Sequence, residues 1–232
     1  NSMVLTPRLS PDGTKIAYVD FGTNGKSPKL HIYDLQTGQS YSLGDAFAGQ
    51  KISPRFSPKG DHIILSSAKG GAASLYKLNL GSREPQRLTS SAASIDVSPC
   101  YSPDGSKIVY ISDRGGKPHI YVKDAMSSGE GTRITFKPGL YDDPVWYPRG
   151  DLIAFMRQNG GTFYIGVIKP DGSGERLLDS GYLVEAPTWS PNGREVLYKI
   201  QKGSVSKLAS VDIVGFNKRE IKTPGEASYP AW

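Results

Sequence analysis

One phrase recurs along this chain. It reads PRLSPDG at residues 7–13, PRFSPKG at 54–60, PCYSPDG at 99–105, PVWYPRG at 144–150 and PTWSPNG at 187–193, and PAW at 230–232 begins it once more. The first prolines, Pro7, Pro54, Pro99, Pro144, Pro187 and Pro230, lie 47, 45, 45, 43 and 43 residues apart. A period of about 40–50 residues with several strands per unit is the mark of a β-propeller.

Within a unit each segment has a physical reason. A short run ends in an aromatic residue or leucine: Leu9, Phe56, Tyr101, Trp146, Trp189 and finally Trp232. A turn follows, in which Ser10 suits the first position, Pro11 presets φ, Asp12 is tolerated at the third position and Gly13 is favoured at the fourth. Then comes an apolar run of strand length, such as KIAYVD (15–20) or KIVYIS (107–112), rich in β-branched and aromatic residues. A Gly- and Lys-rich loop leads to a third strand, and a further turn leads to a fourth that is polar and charged, as suits a half-solvated edge. The expected fold is therefore all-β: a propeller of four-stranded antiparallel blades. The aromatic and leucine ends of the inner runs are expected in the core between blades.

Counting strands gives five complete blades, at about 3–46, 50–91, 95–137, 141–181 and 183–224, plus an inner strand of a sixth at 227–232, all in one propeller domain over 1–232. A closed five-bladed ring has no place for that strand. The sequence thus reads as a fragment of a six-bladed propeller whose other strands would precede residue 1. The 37% hydrophobic content is enough for a core, and no run approaches the ~18 apolar residues of a membrane span. The net charge of +6 is spread without a long basic run, which points away from nucleic acid and toward a mildly basic surface. Cys100 is the only cysteine, so no internal disulfide and no cysteine metal cluster is expected.

Catalytic patterns are sparse. There is no G-x-S-x-G elbow, no Walker loop and no H-E-x-x-H. The sequence DGSGE (171–175) reads as a turn, and His31, His62 and His119 fall at or near strand starts in different blades. Asp142 and Asp143 form a carboxylate pair that reads as part of a loop, without a partner acid. No catalytic residue, metal site or cofactor is expected.

Topology sorts the loops into two faces. The S-P-D-G turns share one face with the turns between third and fourth strands. The residues ahead of each first proline share the other face with the Gly/Lys loops, and they lie nearest the axis. Their acids, Asp96, Asp142, Asp143, Glu185 and Glu226, are expected to crowd a channel mouth, beside Gln50, Lys51, Ser53, Val97, Ser98 and Tyr229. Lys26, Lys69, Arg114, Lys117, Arg157 and Lys202 are expected to form a basic rim. A charge-patterned surface built from loops suits a protein or peptide partner.

The repeat resembles the propeller units of the TolB family and of prolyl oligopeptidase-type peptidases. The segments LTPRLSPDGTKIAYVDF (5–21) and VDIVGFNKREIKTPGEASYPAW (211–232) resemble the TolB family more specifically, the second resembling its C-terminal ending. That resemblance implies a six-bladed propeller behind an N-terminal α/β domain and a periplasmic, monomeric, non-enzymatic component of the Tol–Pal system. Such components are tied to envelope integrity, protein transport and cell division. It implies docking of the lipoprotein Pal, other Tol proteins and colicin-type peptides, with no nucleic acid and no membrane insertion. By position, the Pal-facing segments would be 50–53 and 96–98. Two alternatives stay open: the gating propeller of a serine peptidase whose hydrolase domain lies elsewhere, and a lyase or hydrolase with its site in the channel.

Overall fold

The computed structural model describes residues 4–22, 28–43, 53–68, 72–90, 93–127, 129–228 and 230, with the backbone alone at Val4 and Leu5. The described residues form twenty strands in five four-stranded sheets, each antiparallel and ordered along the chain from inner to outer strand. Blade one holds β1 (Val4–Leu9), β2 (Lys15–Asp20), β3 (Lys29–Asp34) and β4 (Ser40–Ser42). Blade two holds β5 (Arg55–Phe56), β6 (His62–Ser67), β7 (Ser74–Asn79) and β8 (Pro85–Arg87). Blade three holds β9 (Asp96–Tyr101), β10 (Lys107–Ser112), β11 (His119–Asp124) and β12 (Thr132–Arg133). Blade four holds β13 (Leu140–Trp146), β14 (Ile153–Asn159), β15 (Thr162–Ile168) and β16 (Arg176–Gly181), and blade five holds β17 (Val184–Trp189), β18 (Glu195–Lys202), β19 (Val205–Asp212) and β20 (Arg219–Ile221).

The repeated turn closes the same way each time. The N–H of its glycine donates to the carbonyl three residues earlier, from Gly13 to Ser10, Gly60 to Ser57, Gly105 to Ser102, Gly150 to Tyr147 and Gly193 to Ser190, at 2.8–2.9 Å. All five glycines have positive φ, between 68° and 87°, where a side chain would be strained. The serine hydroxyl accepts from the N–H five residues on, as Ser10 does from Lys15 and Ser102 from Lys107, both at 2.9 Å. It donates in turn to the third turn residue, Asp12, Asp104 or Asn192. These donors hold the Asp12 and Asp104 carboxyls down at about 2.

The apolar runs bury both of their faces. In blade two, Ile63, Leu65 and Leu78 pack against blade one, while Ile64 and Leu75 pack against blade three. That is why β6 is apolar almost throughout instead of alternating. Four clusters of buried side chains fill the four junctions between consecutive blades. Phe56, Tyr101, Trp146 and Trp189 each face the preceding blade within these clusters. Leu9 departs from the expectation of a buried end residue. It is 49% exposed, because no described blade packs ahead of blade one.

The inner strands of blades three and four are also tied to the preceding blade. The N–H three residues before the first proline donates to the carbonyl just ahead of that blade's third strand: Asp96 to Ala73 at 2.8 Å and Tyr141 to Pro118 at 3.0 Å. Ala227 donates likewise to Ser206, near the start of β19, at 3.2 Å. Pro230 is buried, like Pro54, Pro99, Pro144 and Pro187. Ala227 thus meets blade five through a backbone bond like those by which Asp96 and Tyr141 meet the blades before them. Trp232 and Tyr229 lie outside the described residues.

Candidate functional site at the channel mouth

The inner strands share a feature that the sequence does not announce. The residue just before the first proline is left-handed in four blades: Thr6 (φ 52°), Ser98 (53°), Asp143 (49°) and Ala186 (53°). The pairing of inner strand with second strand slips at each of these points. They are β-bulges, which bend a strand and re-aim its side chains. Non-glycine residues held this way cost about 1–3 kcal/mol each and gather at functional sites. The carboxylate pair Asp142–Asp143, expected on a loop, thus lies inside β13 at such a bulge.

Hydrogen bonds run through the bulges from blade to blade. The Ser98 hydroxyl donates to Asp142 Oδ1 at 3.1 Å, and the Asp143 N–H donates to the same oxygen at 2.8 Å. Asp143 Oδ2 accepts from the Ala186 N–H at 3.2 Å. Burial first, and then the neighbouring Asp142 charge, raise the Asp143 carboxyl to about 7; Glu185 adds to this and the Arg55 guanidinium of blade two opposes it. Thr6 Oγ1 is buried without a hydrogen-bond partner among the described residues.

The candidate residues are sorted by this geometry. Asp142, Asp143 and Ser98 come together at the bulges, with the backbone of Ala186 and the neighbouring Glu185. Glu185 is salt-bridged to Lys199 at 2.6 Å. Ser53 and Val97 are half-buried, Val97 against the core between blades three and four. Glu226 is exposed. Asp96 does not present its charge at the mouth: it is 1% exposed and pairs with Arg114 at 3.5 Å. Gln50, Lys51 and Tyr229 lie outside the described residues.

The basic rim needs correction as well. Arg157 is not on a loop; it lies in β14, buried, and donates to Pro138 O and to Glu175 at 3.2 Å. Arg114 is occupied by Asp96 and Glu130, and Lys202 by Glu220. Lys117 is exposed, while Lys26 and Lys69 lie outside the described residues. These cations face acids brought close by the fold from far along the chain, which linear spacing does not reveal. Glu175, the last residue of the DGSGE turn, is one such acid and also accepts from Tyr141 Oη at 3.1 Å.

Apolar side chains are the mouth feature that charge counting missed. Ile95, Leu140, Tyr182, Phe136 and Val205 are all exposed on this side, Tyr182 at 78%. Ile95 and Leu140 occupy the same place, four residues before a first proline, so the repeat alignment held that signal. His119 lies nearby as a neutral ring. Arg133 donates to its Nε2 at 2.7 Å, which leaves Nδ1 protonated toward Thr135 Oγ1 at 3.0 Å. Burial, with Arg133 and Lys117 beside it, lowers its pKa to about 4. Among the described residues no group of three His, Cys, Asp or Glu could hold a metal ion, and no helix is long and apolar enough to cross a membrane.

The family model described as the TolB beta propeller domain matches residues 1–232. The chain belongs to the TolB β-propeller family. The Tol-Pal system protein TolB of Rickettsia bellii is 52% identical over 243 residues, covering 100% of this chain and 54% of that protein. The crystal structure of TolB from Acinetobacter baumannii is 30% identical with a TM-score of 0.87, covering 100% of this chain and 57% of that one. This TolB-family chain spans about half the length of the curated relatives it matches, 51–54%. A prolyl endopeptidase structure matches at a TM-score of 0.69 but 15% identity, so peptidase propellers share the fold alone. The family takes its name from a Tol–Pal system component, not from an enzyme.

Proposed function

We propose that this propeller is a non-catalytic periplasmic docking scaffold of the Tol–Pal system, binding the lipoprotein Pal at the channel mouth, with colicin-type peptides competing for the same face. Membership of the TolB family supports the system. The observation that carries the choice of face is the run of strained, hydrogen-bonded bulges that links blades three, four and five, with Ile95, Leu140 and Tyr182 exposed on the same side. A buried apolar or aromatic anchor inside a polar surround is how protein interfaces concentrate their affinity. In this reading Ser53, Asp96, Val97, Ser98, Asp142, Asp143, Glu185 and Glu226 belong to the docking face.

The test is calorimetric titration of purified Pal into the chain carrying Leu140→Asp and Tyr182→Ala. Affinity is expected to fall at least about tenfold while the unfolding midpoint stays put. Met126→Asp, on the opposite face, serves as the control and is expected to leave affinity unchanged. Equal affinity for wild type and the double variant would move the interface elsewhere.

A further inference from the structure

Three cations gather on the mouth side of blades three and four without acids to match them. Lys117 lies in the β10–β11 loop, Arg133 ends β12, and Lys137 lies in the segment leading to β13. Among the described residues no acid pairs with Lys117 or Arg133, and Lys137 reaches the Glu175 carboxylate only at 3.8 Å. Glu175 is already matched: Arg157 engages it at 3.2 Å and the Tyr141 hydroxyl donates to it at 3.1 Å. On the β10–β11 loop, Arg114 is taken up by Asp96 and Glu130, and Asp113 accepts from the Ile95 N–H at 2.7 Å. Positive charge is left over at the surface. It is also held in place. Arg133 donates to Thr135 O at 2.6 Å and to His119 Nε2 at 2.7 Å, and its guanidinium lies 5.1 Å from the centre of the exposed Phe136 ring. The Tyr141 N–H donates to Pro118 O at 3.0 Å, which brings the loop of Lys117 against the start of β13 and the exposed Leu140.

We infer that this patch is a subsite for an acidic, extended stretch of a partner protein, its carboxylates facing Lys117, Arg133 and Lys137 and an apolar side chain lying against Phe136. Charge complementarity selects the occupant and steers its approach. An arginine fixed beforehand by two hydrogen bonds gives up less freedom when a carboxylate arrives. Phe136 and Leu140 call for apolar side chains among the acidic ones, which a peptide supplies. A long polyanion such as a nucleic acid is opposed by Asp142, which follows Leu140 on β13. The inference rests on the mouth being the docking face and names the chemistry of the segment that docks there.

Amide NMR shifts of the whole chain test this. The probe is a Gly/Ser peptide carrying the run Leu-Glu-Glu-Leu-Glu, with a counterpart that has lysine for glutamate. Shifts are expected at 115–118 and 133–137 with the acidic peptide and not with the basic one. Lys117→Gln combined with Lys137→Gln changes two exposed residues and leaves Arg133 and His119 in place. That double variant is expected to weaken binding roughly fivefold at low salt. Shifts elsewhere, equal binding of the basic peptide, or unchanged affinity in the double variant overturns the subsite. Equal shifts from inorganic phosphate at the same ionic strength also overturn it, as plain anion attraction. Peptide binding at this patch without Pal binding upholds the subsite and sinks the Pal reading; Pal binding without a peptide response does the reverse.

Discussion

The two faces of this propeller are made from the same repeat and have opposite characters. On the turn face, five copies of one turn repeat the same hydrogen bond and the same left-handed glycine, with Ser–Asp or Ser–Asn contacts in four of them. Consecutive copies touch, so a Cβ added to Gly60 or Gly105 would meet a proline of the preceding turn at 3.6–3.7 Å. On the mouth face the strain sits on non-glycine residues, and the side chains there differ from blade to blade. Repetition marks what holds the ring together. Variation on a repeated strained backbone marks what the ring presents.

The largest expected effect comes from adding a methyl to each face. Gly193 has φ +68°, and a Cβ there would lie 2.3 Å from the Tyr147 ring, which is itself packed edge-on against Trp189 at 4.7 Å. Gly193→Ala should cost about 2–4 kcal/mol, combining backbone strain with displacement of a packed ring. Gly160, in a mouth-side hairpin, has φ +57° with open space around it, so Gly160→Ala should cost about 1 kcal/mol. Urea midpoints with unchanged m-values would measure both. Equal costs would break the distinction between a locked face and an open one.

The next effect concerns charge on the mouth side. His119 is buried as a neutral ring and would have to be protonated in acid. A histidine whose folded pKa is lowered contributes stability above its unfolded value of 6.5, and that contribution is lost as pH falls toward 4. By pH 5 the loss is about 2 kcal/mol. His119→Gln should flatten the acid limb of a stability–pH profile. An unchanged acid limb would mean that Arg133 and Thr135 yield on protonation instead of resisting it.

How much of this was legible depends on which residues carried each feature. The blade count and the turn chemistry follow from proline spacing and from Ser, Asp and Gly at fixed turn positions. These local preferences agree with the fold, so the sequence states them openly. The bulges were not legible, because Thr6, Ser98 and Ala186 are not residue types that signal a left-handed backbone, and Asp143, of a type that tolerates one, lies in a run that reads as a loop. There the tertiary structure overrides local preference. Asp96 and Arg157 read as surface charges because their neutralising partners, Arg114 and Glu175, are 18 residues away in sequence in each case. Leu9 read as core by analogy with its repeats, although burial depends on a neighbouring blade and not on the residue alone.

The smallest expected effect is the sharpest comparison of the faces. Phe136 on the mouth side and Phe216 in the turn after β19 are 72% and 83% exposed. Changing either to serine should alter stability by no more than about 0.5 kcal/mol, since little apolar area returns to water. Phe136 has one added partner, the Arg133 guanidinium 5.1 Å from its ring centroid, which places it at the upper end of that range. Pal binding should separate them. If the mouth is the docking face, Phe136→Ser weakens binding and Phe216→Ser leaves it alone, at matched stability. The opposite pattern, measured by titration on two equally folded variants, would assign docking to the turn face and leave the bulges a purely architectural role.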